Sequence, residues 1–170
     1  MVGGAAITYC VSYMAYGALY QHLGEQEFVS STAFAQSHST AAPKGAVVGR
    51  IRIPRLQISA VIFEGTDEFE LMKGVGHWQG SSTGGDGNVV LAAHRDTFFK
   101  GLKDVRPGDA IRLETANGTS EYRVAGSRVV WPDSVEVLQP TESPTLTLIT
   151  CYPFEFFGHA PQRFIVVAQK

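Results

Sequence analysis

The chain has 170 residues, the length of one ordinary domain. With 44% hydrophobic and 18% charged residues it holds enough apolar matter for a core, which excludes wholesale disorder. The net charge is −2, and from Lys44 onward the 14 basic residues are matched by acids, so nothing resembles a basic footprint for nucleic acid.

Two cysteines, Cys10 and Cys151, are too far apart in sequence for a small disulfide framework or a paired-cysteine zinc site. No period recurs, so repeat and coiled-coil architectures are excluded as well. Residues 1–24 contain no Lys, Arg, Asp or Glu. The stretch 2–20 would span about 28 Å as a helix, close to the thickness of a bilayer's hydrocarbon core. Gly, Ser, Thr and Tyr dilute its hydrophobicity. Three readings compete: a membrane anchor, which is the expectation adopted; a signal peptide cleaved near Ala33-Phe34-Ala35; and a buried helix of a globular body. No basic residue flanks the stretch, so the charge rule assigns no orientation. Tyr9, Tyr13, Tyr16 and Tyr20 recur at helical spacing and form a packing stripe on one face. Small and polar residues then dominate up to Ala46. The expected organisation is therefore an anchor over 1–22, a flexible linker over 23–46 and a functional body over 47–170.

The body reads as short Val-, Ile- and Leu-rich runs bounded by Gly, Pro or Asp. Strands are predicted at 47–53, 57–63, 88–94, 110–115, 120–125, 128–131, 146–151 and 163–168. Asn117-Gly118 lies between two alternating runs and signals a hairpin; read as a turn, it outweighs the glycosylation sequon that the same residues make with Thr119. Helical pattern is limited to 67–73, with Thr66 placed to cap it, and to a turn over 98–102. The Gly-rich run 80–87 reads as an exposed loop, since no Lys-Ser/Thr or helix follows it to cradle a phosphate. Many short strands with little helix predict a closed β-barrel or a sandwich.

Three residues concentrate the chemistry. Cys151 ends a run of strand formers, and Pro153 pushes the chain beyond it into a loop, which opens space at the thiol. Considered alone, a lone cysteine is more often a structural core residue. His94 also ends an apolar run and is followed by the polar Arg95-Asp96; a His and a Cys at neighbouring strand ends can form a nucleophilic pair. A surface or core histidine is the competing reading. Arg163 opens the last strand, where a permanently charged guanidinium can stabilise an oxyanion or a thiolate; the competing reading is a surface ion pair. Of the other histidines, His22 and His38 fall in the anchor flank and linker, His159 follows the flexible Gly158, and His77 sits between Gly76 and Trp78, where it suits packing or lining a substrate.

TLITC at 147–151, AAHRD at 92–96 and APQRFIVVA at 160–168 together resemble sortases, as do Phe63-Glu64-Gly65-Thr66 and Gly74-Val75-Gly76-His77. The resemblance covers about residues 47–169 in the family's order of His, Cys and Arg, and CYPFEFFGHAPQRF at 151–164 is most similar to class D. Two features depart from the pattern: Ala93 stands before His94, where relatives often carry Gly or Ser, and the anchor lacks a basic flank. The resemblance implies an all-β, eight-stranded closed barrel with one or two short helices behind an N-terminal hydrophobic helix. It implies a single-pass, membrane-anchored cysteine transpeptidase acting outside the cytoplasm on an LPxTG-like sorting signal. Cys151 would be the nucleophile, His94 the acid–base and Arg163 the oxyanion stabiliser, with Thr150 and His77 binding substrate. The partners would be a protein bearing the sorting signal and an amine acceptor in the cell envelope or on a pilin-like subunit. Neither a cofactor nor a metal is expected. The rival readings are a cysteine peptidase that releases substrate to water and a non-catalytic envelope-binding barrel.

Overall fold

A computed structural model describes residues 2–32, 42–84, 86–155 and 158–170, with side chains along the first helix described over 11–27. Ala33-Phe34-Ala35, His38 and the side chain of Cys10 lie outside the described residues. Eight strands close into a barrel: β1 (Val47–Ile53), β2 (Ile58–Glu64), β3 (Val75–His77), β4 (Asn88–Ala92), β5 (Ala110–Thr115), β6 (Gly118–Val130), β7 (Thr145–Tyr152) and β8 (Gln162–Gln169). Their order around the barrel is β1-β2-β3-β4-β7-β8-β6-β5, and β5 returns to pair with β1, so no edge is left open between them. Pairing is antiparallel except for β2–β3 and β4–β7. Helix α1 (Val2–Thr32) precedes the barrel and α2 (Glu68–Lys73) links β2 to β3.

The number of strands matches the expectation, but two assignments change. The runs at 120–125 and 128–131 are one long strand, β6, because a bulge between Val124 and Gly126 absorbs the apparent break while pairing with β8 continues. The three-residue β3 is too short to show a period in the sequence. The expected hairpin joins β5 to β6: Thr115 pairs with Gly118 across Ala116 and Asn117, and Gly118 carries the positive φ of 112°. Helix α2 starts one residue later than predicted, at Glu68, and Asp67 rather than Thr66 takes the N-cap position.

Alternation of side chains fixes inside and outside. Ile51, Ile62, Val89, Leu91, Ala93, Leu146, Leu148 and Val166 point into one apolar core. Parity then turns Asn88, Val90 and Ala92 outward on β4, with Thr147, Ile149 and Cys151 outward on β7 and Arg163 outward on β8. Strand β2 is buried on both faces apart from Ser59, which accounts for its unbroken apolar run Ala60-Val61-Ile62-Phe63.

What covers the outer face of β2 is α1. Gly17 and Gly24 are its buried residues within 11–27, and Tyr13, Tyr16, Tyr20 and Gln21 are half-buried at the same helical spacing. A Cβ on Gly24 would lie 2.9 Å from Val61 and 3.3 Å from Phe63, so the helix backbone seats directly on the strand. Gln21 makes the decisive polar contacts: its Nε2 donates to the Lys73 carbonyl at 2.8 Å, and its Oε1 accepts from the Val61 amide at 2.7 Å. The short β3 pairs with β2 only from Ile62 to Glu64, and Gln21 serves the amide just before that stretch. Tyr16 and Tyr20 pack ring against ring in a tilted arrangement, Tyr16 meets Phe69 edge-on, and the buried Lys73 lies over Tyr20, Phe63 and Phe69. Glu25 adds an ion pair to Arg50 of β1 at 2.8 Å.

This arrangement corrects the membrane anchor expected over 1–22. Among the described residues, no helix is long and apolar enough to cross a membrane. The physical reason is the composition already visible in the segment: Gly17, Gly24 and Gln21 serve a protein surface, and Tyr16 and Tyr20 face the barrel where an anchor would face lipid. The single-pass membrane location inferred from that anchor falls with it. Helix α1 also runs on through Thr32, past the boundary drawn at residue 22.

Gln21→Ala would leave the Val61 amide and the Lys73 carbonyl without partners. The expected loss of stability is about 1–3 kcal/mol, read as a lower urea midpoint with an unchanged slope.

Candidate active site

The outward parity of three neighbouring strands places the sequence-predicted residues at one end of the barrel. On β7 and β8, Cys151 pairs directly with Arg163. On the other side of β7, the parallel register with β4 matches Ala92 to Ile149, and the Ala93 amide bonds to the Ile149 carbonyl at 3.2 Å. Extended by two residues beyond the end of β4, that register sets His94 level with Cys151. His94 and Cys151 are both half-buried, accessible yet held. Cys151 is a free thiol.

Two local devices fix the strand ends. The buried Thr150 hydroxyl donates to the Ala93 carbonyl at 2.7 Å, tying the residue before Cys151 to the residue before His94. Beyond His94 the chain turns at once, with the Phe99 amide bonded to the His94 carbonyl at 3.1 Å. Arg163 is tethered too: its Nη1 donates to the carbonyls of Ala160 at 3.2 Å and Gln162 at 2.9 Å. No acid pairs with it among the described residues, so its charge is uncompensated beside the thiol.

His77 has a different setting. It is 4% exposed, with Nδ1 2.8 Å from Glu64 Oε2 and Nε2 donating to the Ser82 carbonyl at 2.9 Å. Ser81 Oγ lies 3.0 Å from the same nitrogen but donates to the Trp78 carbonyl at 2.8 Å. Ser81-His77-Glu64 therefore has the outline of a hydrolytic triad without a free nucleophile: the hydroxyl proton is committed and the ring nitrogen acts as a donor. What these contacts do is brace β2 and β3 against the β3–β4 loop, and the Ser81 hydroxyl also accepts from the Val90 amide at 3.1 Å. Among the other histidines, His22 faces Gln26 on α1 and His159 is exposed in the β7–β8 loop. No group of three or more His, Cys, Asp or Glu among the described residues could hold a metal ion.

With this geometry in place, comparison with known proteins identifies the family. The family model for the Sortase domain matches residues 51–170. The chain belongs to the sortase family. Sortases are cysteine transpeptidases, and this chain is one by that membership. It is 34% identical over 144 residues to sortase D of Bacillus subtilis, covering 83% of this chain and 73% of that protein. To sortase A of Listeria monocytogenes it is 32% identical over 131 residues, covering 74% of this chain and 57% of that one. Among solved structures, a sortase D5 transpeptidase of Clostridium perfringens shares the fold with a TM-score of 0.75 at 21% identity, over 91% of this chain and 98% of the other. The structure of Listeria monocytogenes sortase A gives a TM-score of 0.66 at 29% identity, over 72% and 86%.

One residue of this sortase that sequence reasoning passed over is Asn88. It opens β4, is 4% exposed and faces outward. Its Nδ2 donates to the carbonyls of Val137 and Gln139, both at 3.0 Å, and its Oδ1 accepts from Thr147 at 2.8 Å. The β6–β7 connection leaves β6 beside Arg163 and is pinned at Asn88 before entering β7. An outward-facing amide at the head of an apolar run was the available signal, but nothing local names its partners, which lie 49 and 51 residues away.

Asn88→Asp would set a carboxylate against two carbonyls. The expected outcome is about 1–3 kcal/mol of destabilisation, with faster amide exchange concentrated in residues 131–144 and little change in α1.

Proposed function

We propose that this sortase cleaves an LPxTG-like sorting signal and transfers the released acyl group to an amine. The observation that supports this most is the outward convergence of His94, Cys151 and Arg163 at the ends of β4, β7 and β8. The Cys151 sulfur attacks the carbonyl carbon of the signal's threonine. As the C–N bond breaks, His94 gives a proton to the departing amine and a thioester remains on Cys151. The acceptor amine then bonds to the acyl carbon, its proton passes to His94, and the sulfur leaves. Arg163 stabilises the oxyanion in both halves; two carbonyls already hold its Nη1, which limits the reorganisation needed in the transition state.

The half-buried Ala92 and Ile149 supply an apolar floor leading to Cys151, bordered by the β3–β4 loop and the β6–β7 connection. An extended peptide fits such a strip. Because the Thr150 hydroxyl is engaged with Ala93, Thr150 meets substrate through its backbone. His77 contributes to binding by holding the β3–β4 border in place rather than by touching the peptide. The acceptor belongs to a cell-envelope component or to a second, pilin-like protein subunit.

The deciding experiment incubates the chain with an LPxTG-like peptide, with and without an amine, and follows the products by mass spectrometry. A thioacyl adduct on Cys151 and an amine-dependent transfer product are expected. Cleavage to the free acid alone would favour the peptidase reading, and an unreactive Cys151 would favour a binding barrel. Cys151→Ala is expected to abolish turnover with the melting temperature preserved, since a half-buried strand-end thiol contributes little packing. His94→Ala should lose far more activity per folded molecule than His77→Ala, whereas His77→Ala should lose more stability. The reverse ranking would reassign the acid–base role.

Arg163→Lys keeps the charge but loses the planar fork of donors. Turnover should fall by about 100- to 1,000-fold. Labelling of Cys151 by iodoacetamide should fall much less, because alkylation develops no acyl oxyanion. A parallel collapse of both would make Arg163 a thiolate stabiliser instead.

A further inference from the structure

A pocket lies on the far side of His94 from Arg163. By register through β3, Val61 of β2 is level with His94, and Ile58 lies about 10 Å further in the direction in which the chain leaves His94. There residues 56–59 and the segment 97–103 border an open depression of about 410 Å³. Leu56 and Phe98, both packed against the core, form its apolar base. Gln57, Ser59 and Thr97 contribute polar groups to its lining, and Lys100 and Lys103 contribute its charge. The two lysines belong to one 3₁₀ turn, Lys100–Asp104, in which positions i and i+3 eclipse, so both ammonium groups rise on the same side. No acid lines the pocket, and neither lysine has an ion pair among the described residues. The neighbouring Arg55 is neutralised separately: it donates to Asp109 at 2.5 and 2.6 Å and holds that carboxyl below the usual carboxylate range.

We propose that this pocket seats an anionic group, phosphate or carboxylate, carried by the acceptor amine. The inference rests on the transpeptidase reading above. In that reaction the acyl carbon trades its bond to sulfur for one to nitrogen while the amine proton passes to His94. An acceptor approaching from the His94 side carries the rest of its body over the loop that follows His94, where Lys100 and Lys103 stand. The donor peptide lies along the outer strip of β4 and β7, so the two substrates do not compete for space. Because both lysines are solvent-exposed, their effect is one of moderate affinity and is sensitive to salt.

The test uses the full chain acylated by an LPxTG-like peptide. Four acceptors long enough to reach from Cys151 to the pocket are compared: tetraglycine capped by 2-aminoethyl phosphate against tetraglycine capped by ethanolamine, and hexaglycine against hexaglycinamide. The expected result is a KM for the phosphate-bearing amine about three- to tenfold below that of its ethanolamine counterpart, a gap that narrows in high salt. The hexaglycine pair shows whether a carboxylate serves equally. In Lys100→Gln/Lys103→Gln the ratio should approach one, and in Lys100→Arg/Lys103→Arg it should persist. Equal KM values in the wild type, or a preference undiminished in the glutamine variant, would overturn the proposal. Should no thioacyl enzyme form on any donor, the transpeptidase reading fails by itself. Titration of the isotope-labelled chain with 2-aminoethyl phosphate still decides the pocket. Shifts at residues 97–103 that disappear in the glutamine variant would support it, and their absence in the wild type would overturn it.

Discussion

The parallel pairing of β4 with β7 is the constraint on which the rest of the site depends. It places Ala92 beside Ile149, and the two residues beyond each bring His94 level with Cys151. A slip of one residue would turn one of the two side chains into the core and leave the other outside. The barrel prevents that slip by burying Val89, Leu91, Ala93, Leu146 and Leu148 on the inner face, where each large side chain contributes about 1.5–3 kcal/mol. The Thr150 hydroxyl bond to Ala93 adds a directional lock where the pairing ends. Geometry at the mouth is thus fixed by apolar burial several residues away.

The outer face shows how a barrel accommodates function without giving up stability. Two stretches of that face are covered: α1 lies over β2, and the β6–β7 connection is pinned across β7 to Asn88. Near the ends of β4 and β7 the outward residues Ala92, Ile149 and Cys151 are half-buried, and the reactive side chains lie there. Polar side chains that bond backbone groups do much of the covering. Gln21 and Asn88 engage loop or strand backbone distant in sequence, and His77 ties down the loop that follows it at Ser82, so loops without secondary structure of their own still have defined positions. Such bonds are individually modest, but breaking one leaves a desolvated partner behind, which makes the arrangement resistant to drift.

Helix α1 illustrates how composition alone misleads. A segment without formal charge reads as lipid-facing because charge is the strongest membrane signal in a sequence. Its glycines and tyrosines are equally suited to a protein surface, where a glycine permits close backbone approach and a tyrosine packs its ring against another. Gly24 against Val61 and Tyr16 against Phe69 are contacts of that second kind.

The sequence by itself determined the class of fold, a first strand beginning at Val47, most other strand positions and the three motifs that carry the family resemblance. These are local properties: periodicity, turn residues and short runs of defined chemistry, each contained within about ten residues. Tertiary structure decided the rest. The merging of two runs into β6 depended on a partner strand that continued across the bulge, and β3 exists because β2 and β4 flank it. The fate of α1 depended on an uncovered face of β2 that nothing within residues 1–32 encodes. Asn88, Gln21 and the cationic pocket beside His94 became visible only with the fold, because each is defined by groups brought together across roughly 40 or more residues of chain. Local sequence specifies which side chains are available, whereas which of them meet is set by the register and closure of the barrel.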